Sequence, residues 1–241
     1  MNSTTSRNIV HDVSNHLRSL GNSEIAAHSK RFFKTGKGEY GEGDKFLGIR
    51  VPVIRKLIKQ YKDISVEESV ILLGSEYHEE RLFSLLMLVK KFDEGNDDSK
   101  KQIYNVYIKN FKHINNWDLV DSSASQIVGA YLYNRDKSIL YDLAKSEIIW
   151  ERRISIMSTF YFVRNGQFCD TINIANILIC DKEDLIHKAV GWMLREVGKR
   201  NMKIEKDFIK KHIKYMPRTM LRYAIEKFPE SERKAYLTGD V

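Results

Sequence analysis

The segment WDLVD, from Trp117 to Asp121, carries the residue types best suited to binding a cation. In a helix, Trp117 and Asp121 lie one turn apart on the same face. An indole face attracts positive charge by about 0.5 to 2 kcal/mol, depending on desolvation, and the carboxylate adds a full negative charge. The alternative is structural: with Asn115 or Asn116 as the N-cap, the indole packs over the first turn and the two acids lie near the positive end of the helix dipole.

A cationic helical face surrounds another indole nearer the C-terminus. Four residues share this face at positions i, i+4, i+7 and i+11, namely Lys188, Trp192, Arg195 and Lys199. Lys and Arg neutralise phosphates and an aromatic ring packs on sugar or base, so the face predicts contact with nucleic acid. Arg218 and Arg222 repeat the cationic spacing on a later predicted helix. A partly buried Trp covered by the stems of surrounding lysines is the alternative.

The net charge of the chain is concentrated in this same region. Forty Lys and Arg against 32 Asp and Glu give a net charge of +8. Between Leu185 and Arg222 there are eleven cations and three acids, so this stretch accounts for the whole excess. A basic surface of this size predicts an acidic polymer or a membrane as the partner, and a set of solvated basic helices is the alternative.

A third candidate group lies on one face of a predicted helix between these regions. Its members are Arg153, Met157, Phe160 and Arg164. Guanidinium groups suit bidentate contact with a backbone phosphate. Pairing of these arginines with Glu151 or with Asp121 is the alternative.

Conventional hydrolase, metal and nucleotide sites are excluded by their missing motifs. The run HEERL, which begins at His78, lacks the second histidine of H-E-x-x-H, and neither G-x-S-x-G nor a P-loop lysine motif occurs. Gly36–Gly41 matches G-x-G-x-x-G, but a helical segment precedes it, so we expect the loop Thr35–Gly48 to be a packing element. Cys169 and Cys180 form no C-x-x-C pair and lie in apolar helical stretches. We therefore expect core thiols, no metal and no cofactor.

No segment of the sequence predicts secretion or membrane insertion. The first residues, MNSTTSR, lack an apolar core, and no stretch approaches 18 uninterrupted apolar residues. We therefore expect a cytoplasmic protein that does not associate with a membrane.

Composition and periodicity predict an all-α protein, with only three prolines and long runs of helix-forming residues at helical spacing. Fourteen short helices are predicted near residues 9–20, 23–33, 52–61, 66–73, 79–92, 100–111, 117–132, 137–144, 149–164, 171–177, 185–199, 205–215, 218–228 and 230–236. Successive pairs recur about every 35 to 40 residues, near the period of HEAT repeats. We expect a single domain over residues 1–241, an α-solenoid of HEAT-like antiparallel helix pairs whose concave face is long enough to cradle an extended partner. An irregular helical bundle is the alternative.

Four motifs occur in order along the chain: FLGIRVP from Phe46, NWDLVD from Asn116, WERRI from Trp150 and HKAVGWMLRE from His187. Together they closely resemble the AlkD family of DNA alkylation repair proteins, from about residue 31 to residue 237. The resemblance implies a HEAT-like solenoid whose concave face binds duplex DNA. It also implies a monofunctional glycosylase that excises cationic alkylpurines, such as N3-methyladenine and N7-methylguanine, in base excision repair.

The resemblance also assigns roles to residues. By motif position, Trp117, Asp121 and Trp192 face the lesion and Arg153 is the site arginine. The DNA-binding cations predicted from spacing and charge are Lys188, Arg195, Lys199, Arg218 and Arg222. An alkylated purine that is already cationic leaves without a general acid, and a carboxylate at position 121 suits the oxocarbenium character that develops on the sugar. Excision without conventional base flipping is implied too. Asp118 is expected to be a helix-start or packing residue.

One departure from the family lies near the N-terminus, where members usually carry an additional Tyr. The matching region here reads Arg31-Phe32-Phe33-Lys34, so the resemblance implies no hydroxyl contact at this place. Some paralogues in the family bind branched or distorted DNA without excising bases, which is the alternative function, and a protein-binding HEAT scaffold is a third. The expected partner is double-stranded DNA containing alkylated bases, for which a monomer would suffice.

Overall fold

The computed structural model describes residues 3–239, and over this range helices are the only extended regular elements. Two of its residues, Lys45 and Tyr77, form an isolated parallel bridge. The predicted all-α class is therefore confirmed. None of the helices in residues 3–239 has both the length and the apolarity needed to cross a membrane.

The chain divides into two compact units between Ser123 and Ala124, called unit 1 and unit 2. The prediction of one continuous solenoid with a concave face stays a prediction, as does that of a single domain over residues 1–241. Residues 1–2 and 240–241 of that predicted domain lie outside the described residues.

Unit 1 is organised around one helix that is buried on nearly all sides. Its helices are α1 Ser3–Ser19, α2 Ser23–Phe32, α3 Val51–Gln60, α4 Val66–Leu73, α5 His78–Glu94, α6 Asp97–Lys109 and α7 Trp117–Asp121, with a 3₁₀ turn at Phe111–His113. Helix α5 contacts α1, α3, α4, α6 and α7. Its first eleven residues are all buried, which is typical of a helix at the centre of a core.

Side-chain caps fix the starts of several helices in unit 1. The side chain of Asn22 accepts a hydrogen bond from the backbone N–H of Ile25 at 2.9 Å. Before α4, the Glu68 N–H donates to Ser65 Oγ at 3.1 Å and the Ser65 N–H donates to Glu68 Oε2 at 2.7 Å, which is a complete capping box. Such caps typically contribute about 0.5 to 2 kcal/mol. They explain why both helices begin at the residue that the sequence predicts.

The loop Thr35–Gly48 packs against the start of α5. The carboxylate of Glu79 accepts hydrogen bonds from the backbone N–H groups of Leu47 and Gly48, each at 2.8 Å, and of Ile49 at 3.2 Å. Gly48 has a φ of 83°, a conformation that glycine adopts at little cost. The prediction that this loop is a packing element is confirmed.

In unit 2, helices that are two positions apart along the chain pack against each other. A π-helical segment, Ser125–Gly129, runs into α8 Ala130–Leu132, followed by α9 Ser138–Leu143, α10 Ile149–Arg164, α11 Cys169–Ile177, α12 Asp184–Gly198, α13 Met202–His212, α14 Arg218–Ala224, a 3₁₀ turn at Ile225–Lys227 and α15 Glu230–Thr238. Helix α12 contacts both α10 and α14. A Cβ at Gly191 would collide with the backbone oxygen of Met220, so glycine permits the close approach of α12 and α14.

The prediction of one continuous helix over residues 117–132 is wrong, because the helix is interrupted. Helix α7 ends at Asp121, and the chain turns before the π-helical segment begins at Ser125. The hydroxyl groups of Ser122 and Ser123 donate to the Leu119 carbonyl oxygen at 3.3 and 2.5 Å. Serine hydroxyls compete with backbone donors in this way, which weakens a helix locally.

The prediction of core thiols is also wrong, since both cysteines are exposed. Helix α11 buries Thr171, Ile174 and Ala175, which share its inner face. Cys169 lies at its first position, outside that face, and Cys180 lies beyond its end. Apolar neighbours in sequence predict burial only when they share the face of the helix.

Gly48→Ala tests the close packing of the loop on α2. A Cβ at Gly48 would collide with the backbone of Asn22 and Ala26, whereas a Cβ at Gly43, whose φ is 81°, would meet nothing within 4 Å. We expect Gly43→Ala to lower the free energy of unfolding by about 1 to 2 kcal/mol, the cost of the left-handed conformation. Gly48→Ala should cost at least about 2 kcal/mol more, because overpacking adds to that strain. Equal losses in urea denaturation would contradict the collision.

Candidate functional site

Helix α7 presents Trp117 and Asp121 one turn apart, both partly exposed. The fully buried Asn116 precedes it, and its side-chain oxygen accepts a hydrogen bond from the Trp117 N–H at 2.8 Å. A helix of five residues is not stable by itself. The placement of both side chains therefore depends on what α7 contacts in the rest of unit 1.

Aromatic rings pack around Trp117. The Phe33 ring stacks on the indole with a centroid distance of 5.2 Å and an interplanar angle of 21°. Phe32 approaches edge-on at 5.8 Å and is 57 % exposed. By the sequence resemblance described above, these two residues stand where an additional Tyr is expected. The surroundings of Trp117 thus include an exposed ring from α2, but Phe32 and Phe33 supply no hydroxyl.

Beneath α7 lies a buried polar network that was not among the sites predicted from sequence motifs. The Nε2–H of His78 donates to Asp118 Oδ2 and its Nδ1–H donates to Asp44 Oδ2, both at 2.8 Å. The other oxygen of Asp44 accepts from Arg81 Nη2 at 2.6 Å. Asp118 also accepts from the Leu119 N–H at 2.9 Å. The expectation that Asp118 is a helix-start and packing residue is confirmed, and it has an ion-pair partner as well.

The charges in this network are mutually stabilised. Burial alone lowers the pKa of His78, but the neighbouring Asp118 and Asp44 outweigh it and raise that pKa to about 9. Burial raises the pKa of Asp44, yet the hydrogen bonds and charges of His78 and Arg81 hold it below its usual value. At neutral pH His78 is therefore a buried cation between two carboxylates.

The sequence contained a signal for this network. Four polar residues, HEER from His78, open a helix whose next residues are apolar, and all four are buried. Because buried charged residues require partners, a charged run at the start of an otherwise apolar helix indicates a buried polar network. Within residues 3–239 no group of three His, Cys, Asp or Glu side chains is placed to hold a metal ion.

Arg153 and Trp192 lie in unit 2, on α10 and α12. Arg153 is only 5 % exposed, and its Nη1 donates to the Leu185 carbonyl oxygen in the first turn of α12 at 2.6 Å. Trp192 is partly exposed and its ring centroid lies 6.0 Å from that of Phe160 on α10. Unit 2 thus has its own cluster of two rings, with Arg164 positioned 5.9 Å over Phe160.

The cations of α12 do not form the uncompensated face that their spacing predicts. Lys188 pairs with Asp184 at 2.7 Å and Lys199 with Glu196 at 2.6 Å. Arg195 pairs with Glu226, and its side chain is 15 % exposed. Asp184 and Glu196 belong to α12 itself, and Glu226 lies in the 3₁₀ turn after α14. Each of the three cations therefore already has an acidic partner.

Arg218 and Arg222 on α14 differ from the α12 cations. Both are exposed. Over residues 3–239 neither has an ion-pair partner. Among the five predicted DNA-binding residues, these two have the most freely available charge.

The pH dependence of stability tests the buried imidazolium. Because the pKa of His78 is raised from 6.5 to about 9, its contribution is complete below pH 6.5 and is lost as the pH rises through 9. We expect the free energy of unfolding to fall by about 3 kcal/mol over this window in the wild type. This fall should be missing in His78→Gln and retained in His11→Gln, which alters an exposed imidazole of α1. The same pH slope in His78→Gln, measured by urea denaturation, would refute the assignment.

Comparison with known proteins places these observations in a family. The model of a family described as DNA alkylation repair enzyme matches residues 13–228. A solved structure described as a predicted DNA alkylation repair enzyme from Enterococcus faecalis is 16 % identical, with a TM-score of 0.68, and the match covers 87 % of this chain and 97 % of that chain. At this identity the structural likeness shows a shared fold. Comparison with curated proteins gave no match.

The family match includes α7 with Trp117 and Asp121, the buried network beneath it, and the helices that carry Arg153 and Trp192. It extends over most of both units. The chain therefore belongs to the DNA alkylation repair enzyme family, whose members act in DNA repair.

Proposed function

We propose that the protein is a monofunctional DNA glycosylase of the AlkD type, which excises cationic N3- and N7-alkylpurines from duplex DNA in base excision repair. The observation that carries the proposal is the pairing of Trp117 with Asp121 on α7, one turn apart and both partly exposed. The proposed enzyme is a cytoplasmic monomer. It needs no cofactor or metal, because the base it removes is already cationic.

The proposed chemistry breaks the N-glycosidic bond of the lesion. The electron pair of that bond goes to the base and neutralises its positive charge, while the deoxyribose becomes oxocarbenium-like. The carboxylate of Asp121 stabilises that developing cation and helps to position the water that adds to C1′ and then releases a proton. A preorganised charge of this kind is worth about 2.7 to 4 kcal/mol of barrier. Trp117 supplies an aromatic face for the cationic base and sugar.

Unit 2 supplies the remaining proposed contacts. In this proposal Trp192 packs on the lesion-bearing nucleotide, and Arg153 is the site arginine. The hydrogen bond from Arg153 to the Leu185 carbonyl fixes the guanidinium at the start of α12. Because the side chain is almost completely buried, its orientation is set by the protein before DNA binds.

Release of free base from a duplex that contains N7-methylguanine tests the proposal. We expect the wild type to release the base well above the spontaneous rate, and Asp121→Asn to slow single-turnover release by about 10²- to 10³-fold, since it removes the stabilising charge. Asp98→Asn, which changes an exposed acid in the first turn of α6, is the matched control and should retain the wild-type rate.

Two outcomes would count against this function. A wild type that binds the duplex but releases no base above the spontaneous rate would favour the non-catalytic paralogue, which binds branched or distorted DNA. Full activity of Asp121→Asn would leave glycosylase activity standing but would remove the proposed role of this carboxylate.

A basic segment of unit 2, residues 210–222, supports the DNA-binding part of the proposal. It contains five cations and no Asp or Glu, namely Lys210, Lys211, Lys214, Arg218 and Arg222. All five are exposed, and within residues 3–239 none has an ion-pair partner. Tyr215, 54 % exposed, lies among them. Free cations with an interleaved aromatic ring are typical of contact with a phosphate backbone.

Glu205, a buried acid of α13, does not offset the basic segment at neutral pH. Burial raises the pKa of Glu205 to about 8, although the charges of Arg195 and Lys206 act to lower it. Its carboxyl group is therefore mostly protonated at pH 7. The acids nearby in α12 and α13 are already paired, as with Glu196 and Lys199.

The salt dependence of DNA affinity tests the basic segment. Each phosphate contact contributes about 0.9 to the slope of log K against log salt concentration. We expect Arg218→Ala/Arg222→Ala to reduce that slope by about 1 to 2 on an undamaged duplex. Lys203→Ala should leave the slope unchanged, because Lys203 is paired with Asp207 at 2.6 Å. A slope that Arg218→Ala/Arg222→Ala leaves unaltered would show that α14 does not contact phosphates.

A further inference from the structure

We propose that Asp44, His78 and Asp118 form a positioning network that holds α7, and with it Trp117 and Asp121, in the orientation that base excision needs. The inference rests on the proposed function for its chemistry and on the geometry of unit 1 for the network itself. In this proposal none of the three residues contacts the reacting atoms. They act through the two residues that α7 presents.

The residues on both sides of Trp117 are tied to the same buried pair. On the C-terminal side, Asp118 accepts the hydrogen bond from His78 Nε2 at 2.8 Å. On the N-terminal side, Asn116 Nδ2 donates to Asp44 Oδ2 at 3.4 Å. The indole therefore lies between two tethers, so α7 cannot rotate about its own axis without breaking at least one of them.

The pair that holds these tethers is itself rigid. The side chains of Asp44 and His78 are each 2 % exposed and lie 2.8 Å apart, and Arg81, whose side chain is 5 % exposed, holds the other oxygen of Asp44 at 2.6 Å. The network contains two cations, His78 and Arg81, and two carboxylates, Asp44 and Asp118, so its charges balance. Electrostatic interactions gain strength where water is excluded, so each side chain is confined to the rotamer that keeps its partner.

A stack of aromatic rings connects the same imidazole to the indole. The Phe46 ring stacks on His78 at 4.5 Å, and Phe33 lies 5.1 Å from His78 on one side and 5.2 Å from Trp117 on the other. His78 thus reaches α7 by a hydrogen bond to Asp118 and by a shared ring, Phe33. Its removal would disturb both routes at once.

A function in positioning follows from the size of α7. The helix has five residues, and Asp121 at its end is carried by the same turn that Asp118 anchors. A displacement of about 1 Å in a catalytic group costs up to about 10²-fold in rate. Changes to the network are therefore expected to reduce the excision rate even though the network lies beneath the proposed site.

The test compares His78→Gln and Asp118→Asn with a destabilised control. Ser65→Ala removes the side-chain cap of α4, a hydrogen bond from the Glu68 N–H to Ser65 Oγ at 3.1 Å, and so destabilises unit 1 while leaving the loop and the residues of the network unchanged. At a temperature well below the melting point of each variant, we expect His78→Gln and Asp118→Asn to slow single-turnover release of N7-methylguanine by about 10- to 100-fold. Affinity for undamaged duplex should change by less than about twofold. Ser65→Ala should lower the melting temperature but leave the excision rate near that of the wild type.

A spectroscopic measurement reports position independently of activity. The chain has three Trp residues, so 5-fluorotryptophan gives three ¹⁹F resonances, of which Trp117→Phe identifies one. We expect that resonance to shift or broaden in His78→Gln and Asp118→Asn, with the other two unchanged, and all three to stay in place in Ser65→Ala. Asp118→Asn keeps the side-chain volume and serves as the milder variant if His78→Gln does not fold.

Two results would overturn the inference. An unchanged Trp117 resonance in Asp118→Asn would show that the network does not position α7. Equal slowing of excision by Ser65→Ala, at equal loss of melting temperature, would show that only the stability of unit 1 matters. If the wild type releases no base, the proposed glycosylase function fails, and the ¹⁹F result alone then decides whether the network positions Trp117.

Discussion

The ion pair between Asp44 and His78 is the interaction on which the candidate site depends. A buried imidazolium is tolerated only because a loop brings Asp44 to one nitrogen and α7 brings Asp118 to the other. Removing one partner of a buried pair typically costs about 3 to 5 kcal/mol, because the remaining charge is left uncompensated. The loop, α5 and α7 are therefore interdependent. The fold of unit 1 and the placement of Trp117 share one electrostatic basis.

In unit 2, the available charge lies on the surface and not in a buried network. On α12, Lys188, Arg195 and Lys199 already have carboxylate partners, so contact with DNA would exchange one ion pair for another. The exposed cations of residues 210–222 have no such partners among the described residues, and neutralising phosphates with them releases counterions directly. The two groups are close in sequence and similar in composition, but only the second combines exposure with unpaired charge. Ion pairing, more than the number of cations, separates a surface suited to a polyanion from a solvated one.

Much of the fold could be predicted from sequence, because burial of helix faces has the period of the helix and caps such as Ser65 leave a local signal. The pairing of Trp117 with Asp121 was predictable for the same local reason. The run HEER at the start of α5 is a local signal that a buried network exists beneath them, but its partners could not be predicted, since Asp44 and His78 lie 34 residues apart. The partner of Arg195 was likewise unpredictable, as Glu226 lies 31 residues away. Long-range partners decide whether a charge is buried, paired or free, and a single sequence does not display them.

The tethers of α7 also have a consequence for the order in which the chain folds. Asn116 reaches Asp44 across 72 residues, and His78 reaches Asp118 across 40. Closing such long loops costs conformational entropy before their contacts can form, whereas the backbone hydrogen bonds of α5 join residues a few positions apart. With only five residues, α7 has little helical stability of its own before it docks. Helical content should therefore develop ahead of the candidate site, so the proposed base excision would be a later and more stringent reporter of correct folding than the circular dichroism of the helices.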